Sequence, residues 1–340
     1  MGRRIFITGT AGFIGFHLAR QLLSKGWEVH GYDALTDYYD VELKKARHAK
    51  LTGSSRFTKT IAHLEDEEAL TGAMDAARAD VVVHLAAQAG VRYSIENPRS
   101  YIDANLIGSF NILDQAKQRN VDHLLMASTS SVYGTNRALP FVEDSDTNTP
   151  MSLYAATKKA NEGMAHSYAH LFDLPITMFR FFTVYGPWGR PDLALFKFVK
   201  AAIEGSAIDV YNYGNMARDF TFVSDLVRSI ELLIDVPPVP NDAGTFDAPY
   251  RVVNIGNGDK VPLERFIGAT EAALGIPIAK RYLPMQPGDV PETWANTDLL
   301  FSLTGYRPET SVEKGIQSFV DWYREYYGVA LPNTSSVLVA

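Results

Sequence analysis

Tyr154 and Lys158 stand four residues apart in "SLYAATKKANE". On a helix, that spacing sends both side chains from one face. A tyrosine is a poor base at neutral pH, because its hydroxyl titrates near ~10. Cations beside it favour the phenolate, which can then take a proton from an alcohol. The pair is common on solvated helix faces, so its meaning depends on its company. Upstream, "MASTSSVYG" (126–134) sets Ser128, Thr129, Ser130 and Ser131 in a row with no carboxylate among them. Such a row can floor a site that holds something acidic without repelling it. It can also simply cap a strand end.

Removing a proton from an alcohol becomes an oxidation only if a hydride acceptor is near. "TGTAGFIG" supplies Gly9, Gly12 and Gly15, with Phe13 and Ile14 between the last two. The loop follows a short β-branched run and opens a helical pattern, the context in which glycines cradle a dinucleotide. A pyrophosphate would lie on the helix N-terminus. Asp33 closes the next strand pattern, where a carboxylate accepts from the adenosine ribose hydroxyls and repels a 2′-phosphate. The expected cofactor is therefore NAD.

The elements that must position these groups are legible as an alternation. "RRIFITG", "WEVHGYD", "RFTKTIAHL", "ADVVVHLAA", "HLLMAST" and "PITMFRFF" read as strands, with helical patterns at 66–77, 98–120 and 153–172. Strand alternating with helix implies a parallel, doubly wound α/β sheet. After about 185 the chain turns Pro- and Gly-rich. The expected division is a cofactor-binding domain over 1–180 and a smaller, discontinuous substrate domain over 181–330. "RDFTFVSDLVRSIELLI" (about 217–236) is expected to return a strand and a helix to the main sheet.

With 340 residues, 46% of them hydrophobic, the chain can bury a large core. Its net charge of −7 argues against nucleic acid or an anionic membrane surface as partner. It has no cysteine, which removes disulfides and thiolate chemistry and is compatible with the cytoplasm. "GRRIFI" faintly resembles an export leader, but Gly9, Thr10 and Gly12 interrupt the apolar stretch. No apolar run approaches the roughly 18 residues of a membrane span. His166 and His170 share a helix face without the glutamate of a zinc protease motif, and no metal is expected. Arg92, beyond the fourth strand, is a candidate for the substrate pocket.

Together, Gly9-x-x-Gly12-x-x-Gly15, Asp33, the hydroxyl run before Val132-Tyr133-Gly134, and Tyr154-x-x-x-Lys158 resemble the extended short-chain dehydrogenase/reductase family. Within it, "RFFTVYGPWGRPD" (180–192), "MARDFTFVSD" (216–225) and "MQPGDVPETWANTD" (285–298) most resemble the UDP-glucuronate 4-epimerases. The resemblance implies a Rossmann sheet, a tightly held NAD regenerated at each turnover, a UDP-sugar substrate and a homodimer. It makes Tyr154 the base for O4, Lys158 its electrostatic partner and Thr129 the O4 ligand. Lys44, Leu64, Leu85, Ala86, Ala87 and Asn105 would line the cofactor. Gly90, Arg92, Ser130, Tyr211, Arg218 and Asp289 would face the nucleotide sugar. Relatives carry an aspartate where this chain has His63, which leaves the adenine contact to the Leu64 backbone.

The implied intermediate, a 4-ketone beside a C5 carboxylate, is a β-keto acid prone to lose CO₂. Decarboxylating relatives resemble "SEVYG"; Ser131 stands here in place of that glutamate. Thr183 and Arg190 are expected to clamp the carboxylate. Two other enzyme readings remain open: a 4-epimerase of neutral UDP-hexoses and a UDP-glucuronate decarboxylase. A non-catalytic dinucleotide sensor is a third alternative, which has no need of Tyr154, Lys158 and Thr129 together.

Overall fold

A computed structural model describes residues 3–245, 247–286 and 288–330. Six strands form at the expected apolar runs: β1 (Arg4–Thr8), β2 (Glu28–Asp33), β3 (Phe57–Ile61), β4 (Val81–His84), β5 (His123–Thr129) and β6 (Ile176–Phe181). A seventh, Tyr250–Ile255, completes one sheet in the order Tyr250–Ile255, β6, β5, β4, β1, β2, β3. Every pairing in it is parallel. Side chains alternate between its two faces, as the pleat requires. Ile5, Ile7, Val81, Val83 and Leu125 enter one apolar layer, and Phe6, Val82, Leu124 and Met126 enter the other.

Helix starts follow from capping chemistry. Asp40 accepts from the Glu42 amide ahead of α2 (Val41–Thr52), and Asp66 from the Ala69 amide ahead of α3 (Glu67–Ala77). Ser152 accepts from the Ala155 amide and starts the helix Leu153–Phe172, so Tyr154 lies in its first turn. α1 (Phe13–Ser24) has no such side-chain cap. The helical pattern at 98–120 is one helix only in part. It breaks into Pro98–Tyr101, a widened π turn Ile102–Ile107, and Gly108–Gln118.

The expectation for 217–236 needs correction. Phe220–Phe222 pairs with Thr183–Tyr185 in a separate two-stranded ladder, and only the helix Val223–Ile234 returns, packing along α1. The strand that does rejoin the sheet is Tyr250–Ile255, beside β6.

β1 pairs with β2 on one side and β4 on the other. The chain winds in opposite directions from β1, which opens a crevice outside the carboxyl ends of these strands.

Candidate active site

That crevice is a cavity of about 550 Å³, a usual size for a small-molecule site. Gly9, Gly12, Phe13, Ile14 and Gly15 line one end. Gly9 has φ +81°, and a Cβ there would stand 2.9 Å from the Ala86 nitrogen. A Cβ on Gly15 would fall 2.1 Å from the Gly9 carbonyl oxygen. Only glycines let the loop fold this tightly against β4 and leave the uncapped start of α1 facing the cavity. The hydroxyl of Thr8 accepts from the Leu85 and Ala86 amides, which fixes the Leu85–Ala86–Ala87 wall. Asp33 also lines the cavity; its two oxygens accept from the Ala11 and Leu35 amides at 2.9 and 2.8 Å. A helix start free for a pyrophosphate and a fixed carboxylate free for a ribose fit a dinucleotide.

At the other end Thr129, Ser130, Tyr154 and Lys158 converge. Thr129 stands beside Tyr154 in the cavity wall and also accepts from the Ser131 amide, so it caps the strand end and faces the site at once. Burial raises the Tyr154 pKa; the Thr129 hydroxyl and the positive charge of Arg190 pull the other way. Arg190 is thus a cation acting on this phenol. Lys158 donates to the Ala127 carbonyl at 2.9 Å, and burial brings its pKa down to about 8. Tyr101 lies edge-on to Tyr154 and donates to the Ala89 carbonyl, tying the base to the loop that carries Gly90.

The row of hydroxyls divides in two. Ser128 turns away and donates to Glu162 at 2.7 Å. Glu162 takes both parallel bonds from Arg180, each 2.9 Å, and both side chains are buried. Burial opposes the charge on Glu162, but the Arg180 fork and the Ser128 hydroxyl outweigh it and hold the carboxyl below its usual range. The acid missing from "STSSVYG" thus lies behind it, neutralised.

The NAD dependent epimerase/dehydratase family matches residues 5–256. The chain belongs to that family. A protein of Rhizobium meliloti (strain 1021) called "Probable UDP-glucuronate 4-epimerase" is 54% identical over 333 residues, 95% of this chain and 98% of the relative. UDP-glucuronate 4-epimerase 6 of Arabidopsis thaliana is 43% identical, over 96% of this chain and 73% of its own. The Bacillus cereus UDP-glucuronic acid 4-epimerase in complex with UDP-glucuronic acid and NAD superposes with a TM-score of 0.87 at 30% identity, over 95% of this chain and 99% of that one.

In this epimerase/dehydratase family member, the other expected site residues lie partly in the cavity wall and partly outside it. Asn105 does not line the cavity. Its amide accepts from the Gln88 nitrogen and donates to the Gln88 carbonyl and the Thr157 hydroxyl, so it holds the cavity loop to the Tyr154 helix. Arg92, Tyr211 and Asp289 form a group of their own. The Arg92 guanidinium lies 4.9 Å above the Tyr211 ring and 3.6 Å from Asp289, and of the three only Asp289 lines the cavity. Arg218, outside the cavity too, donates to the Ala217 and Pro291 carbonyls. Lys44 lines the cavity but its ammonium is held by the Thr36 hydroxyl and carbonyl. Leu64 lines it as well, with its carbonyl taken by Asn111.

Thr183 and Arg190 both line the cavity, yet the Arg190 fork is not free. Its Nε and Nη2 bond the two oxygens of Asp192 at 2.9 and 2.6 Å, and Tyr38 donates to the same carboxylate. Arg190 is half-buried, and Asp192 supplies an anion for one edge of its fork. Sequence reasoning missed Asp192, Gln88 and Glu162. Asp192 stands inside "GPWGRPD" and was visible there as an acid two residues from the arginine; the other two carry no local signal. Among the described residues, no group of three or more histidines and carboxylates could hold a metal ion. No described helix is long and apolar enough to cross a membrane.

Proposed function

We propose that this chain interconverts UDP-glucuronate and UDP-galacturonate through a 4-keto sugar, with a tightly held NAD. The chemistry rests on one observation above all: the Tyr154–Thr129 pair opens into the same cavity as the glycine loop. The choice of sugar is supported by the relatives named for UDP-glucuronate.

Held by the glycine loop and Asp33, NAD would supply the hydride acceptor for C4 and the donor that returns it. Tyr154 takes the O4 proton and later returns it. Thr129 holds O4, and its hydroxyl beside Tyr154 favours the phenolate. Lys158, anchored on Ala127, keeps a cation under the same helix turn. The ketone must survive until the hydride comes back to its other face. A β-keto acid loses CO₂ when its carboxylate bond lies parallel to the carbonyl π orbitals. Ser130, Thr183 and the outer edge of Arg190, left open by Asp192, would hold the carboxylate out of that alignment. A homodimer is supported by exposed Phe110, Leu171 and Phe172 on adjacent helices, and molar mass in solution tests it. A cytoplasmic location fits a chain without cysteine.

Denaturing the protein should release NAD. Native protein given UDP-glucuronate and no added cofactor should form UDP-galacturonate. Conversion of UDP-glucose alone would favour the neutral-hexose reading, and UDP-pentose with CO₂ a decarboxylase. Released NAD with no product from any sugar would favour a sensor.

A further inference from the structure

Arg47 in α2 is fully buried and faces no carboxylate among its hydrogen-bond partners. Its Nη1 donates to the Ala11 carbonyl of the glycine loop at 2.8 Å and to the Tyr39 hydroxyl at 2.7 Å. Its Nη2 donates to the Trp188 carbonyl at 2.6 Å, while its Nε has no partner. An arginine compensated only by carbonyls and a phenol is an expensive way to fill a core. It joins two segments far apart in sequence: the loop expected to cradle the pyrophosphate and the stretch "GPWGRPD".

That stretch, 186–192, is fastened at three further points. The Pro187 carbonyl meets His17 of α1 at 2.8 Å. Trp188, at φ +62°, wedges its ring among Phe16, Trp322 and Tyr326, which turns its carbonyl inward to Arg47. Asp192 receives the Tyr38 hydroxyl from the loop after β2. Each polar bond runs to α1, to α2 or to the loop joining β2 to α2, the elements that frame the dinucleotide end. Between the fasteners, Arg190 faces the cavity.

We propose that Arg47 is a positioning residue that bolts the 186–192 strap to the glycine loop and so retains the dinucleotide between turnovers. It does not touch the cofactor. It sets how readily the strap lifts from the loop. An enzyme that returns the hydride it removed must keep its cofactor through the cycle, and a bolt across the loop provides that. The inference rests on the NAD reading above.

The test compares native protein with Arg47→Met and Arg47→Lys. The readouts are NAD retained per chain after gel filtration, the NAD release rate into excess competing nucleotide, the UDP-sugar KM and the melting temperature. Arg47→Met should release NAD about tenfold faster or more, the worth of one charged hydrogen bond. Its NAD release rate should change by a larger factor than its UDP-sugar KM or its kcat at saturating NAD, which report on Arg190 carried by the same strap. Arg47→Lys, keeping the charge and one bond, should fall between. Should Arg47→Met not fold, Arg47→Lys carries the comparison, supported by Tyr39→Phe, which removes an acceptor of the bolt from the cavity wall. Folded variants that release NAD at the native rate overturn the proposal, as does a change confined to melting temperature. Native protein that neither contains nor binds NAD overturns the cofactor reading, and this inference with it. Native protein that holds NAD no more firmly than a folded variant overturns this inference alone.

Discussion

The two ends of the cavity are built by different means. The dinucleotide end is made of backbone and short side chains at the carboxyl ends of β1, β2 and β4, strands that neighbour one another in the sheet. Its shape depends on glycines and on two amides fixing Asp33. The sugar end gathers side chains from β5, from the helix Leu153–Phe172, and from segments at 183, 190 and 289. Those are held by ion pairs and aromatic contacts: Glu162 with Arg180, Arg190 with Asp192, Arg92 against Tyr211. One end is set by local chain geometry and the other by long-range charge pairing. They should therefore fail in different ways.

Tyr154→Phe should separate the ends most cleanly. Without the hydroxyl, turnover should fall by ~10²–10⁴, the usual worth of a positioned acid–base group. NAD content and melting temperature should stay near native, since the ring keeps its edge contact with Tyr101. Initial rates and the NAD released on denaturation check both halves. A variant with near-native turnover would mean that another group takes the proton.

Glu162→Ala probes whether the sugar end depends on its buried pair. It leaves the Arg180 guanidinium buried with the Glu143 carbonyl as hydrogen-bond partner and the Tyr133 face and the Glu143 carboxylate as company. Losing one partner of a buried pair costs about 3–5 kcal/mol. Urea unfolding should show a loss of that order. Replacing both residues by apolar side chains of similar size should recover much of it. A loss below ~1 kcal/mol would mean that the pair is hydrated in solution and contributes little, as surface pairs do.

How much of this was readable beforehand follows the same division. Six strands and the glycine loop were legible, because an apolar run stopping at glycine is a local signal. The seventh strand was not. "YRVVNI" lies among Pro- and Gly-rich loops and carries Arg251 and Asn254 on a strand that is buried in the sheet. The segment 217–236 looked like strand and helix and is both, but pairing partner is a tertiary choice: Phe220–Phe222 found Thr183–Tyr185 nearer than β6. The π turn at 102–107 was hidden, since Asn105 is helix-compatible by type. Its bonds to Gln88 and Thr157 give the turn its role. Arg190 lines the cavity, as its motif suggests, but its ion pair with Asp192 was not read from the sequence. A motif can place an arginine at a cavity without telling which edge of its fork is free.

Lys158 sits at the junction of the two ends, and its effect is set by pH. Burial lowers its pKa from 10.5 to about 8 in the folded protein. Between those values the unfolded chain binds a proton that the folded one does not. Stability from this group therefore rises as pH goes from about 8 to 10.5, and below 8 the penalty is constant. Over that window the gain is at most ~3 kcal/mol. Buried tyrosines with raised pKa values act in the opposite sense at high pH, so the quantity to measure is native minus Lys158→Met. That difference should climb with pH across the window. A flat difference would mean that Lys158 stays charged in the fold at pH 10.

The smallest effect should come at the dinucleotide end, from Asp33→Ser. Each Asp33 oxygen already accepts one backbone amide, from Ala11 or Leu35. A carboxylate offers about four acceptor positions, so about two remain for ribose hydroxyls. Hydrogen bonds to a charged acceptor are worth about 1.5–3 kcal/mol, or roughly 10–100-fold in affinity. Serine can replace one of these acceptors, which puts the expected loss of NAD near the lower figure. The same change removes the negative charge that repels a 2′-phosphate. NADP binding should therefore rise while NAD binding falls, and the preference ratio should move further than either affinity. Dissociation constants for both cofactors, on native protein and variant stripped of nucleotide, decide it. Because the glycine loop keeps its own internal packing, melting temperature should change little. If the native protein binds NAD and NADP equally, Asp33 does not read the ribose. Its carboxylate then serves only to fasten Ala11 and Leu35, and the dinucleotide end would be as dependent on a charged side chain for its shape as the sugar end is.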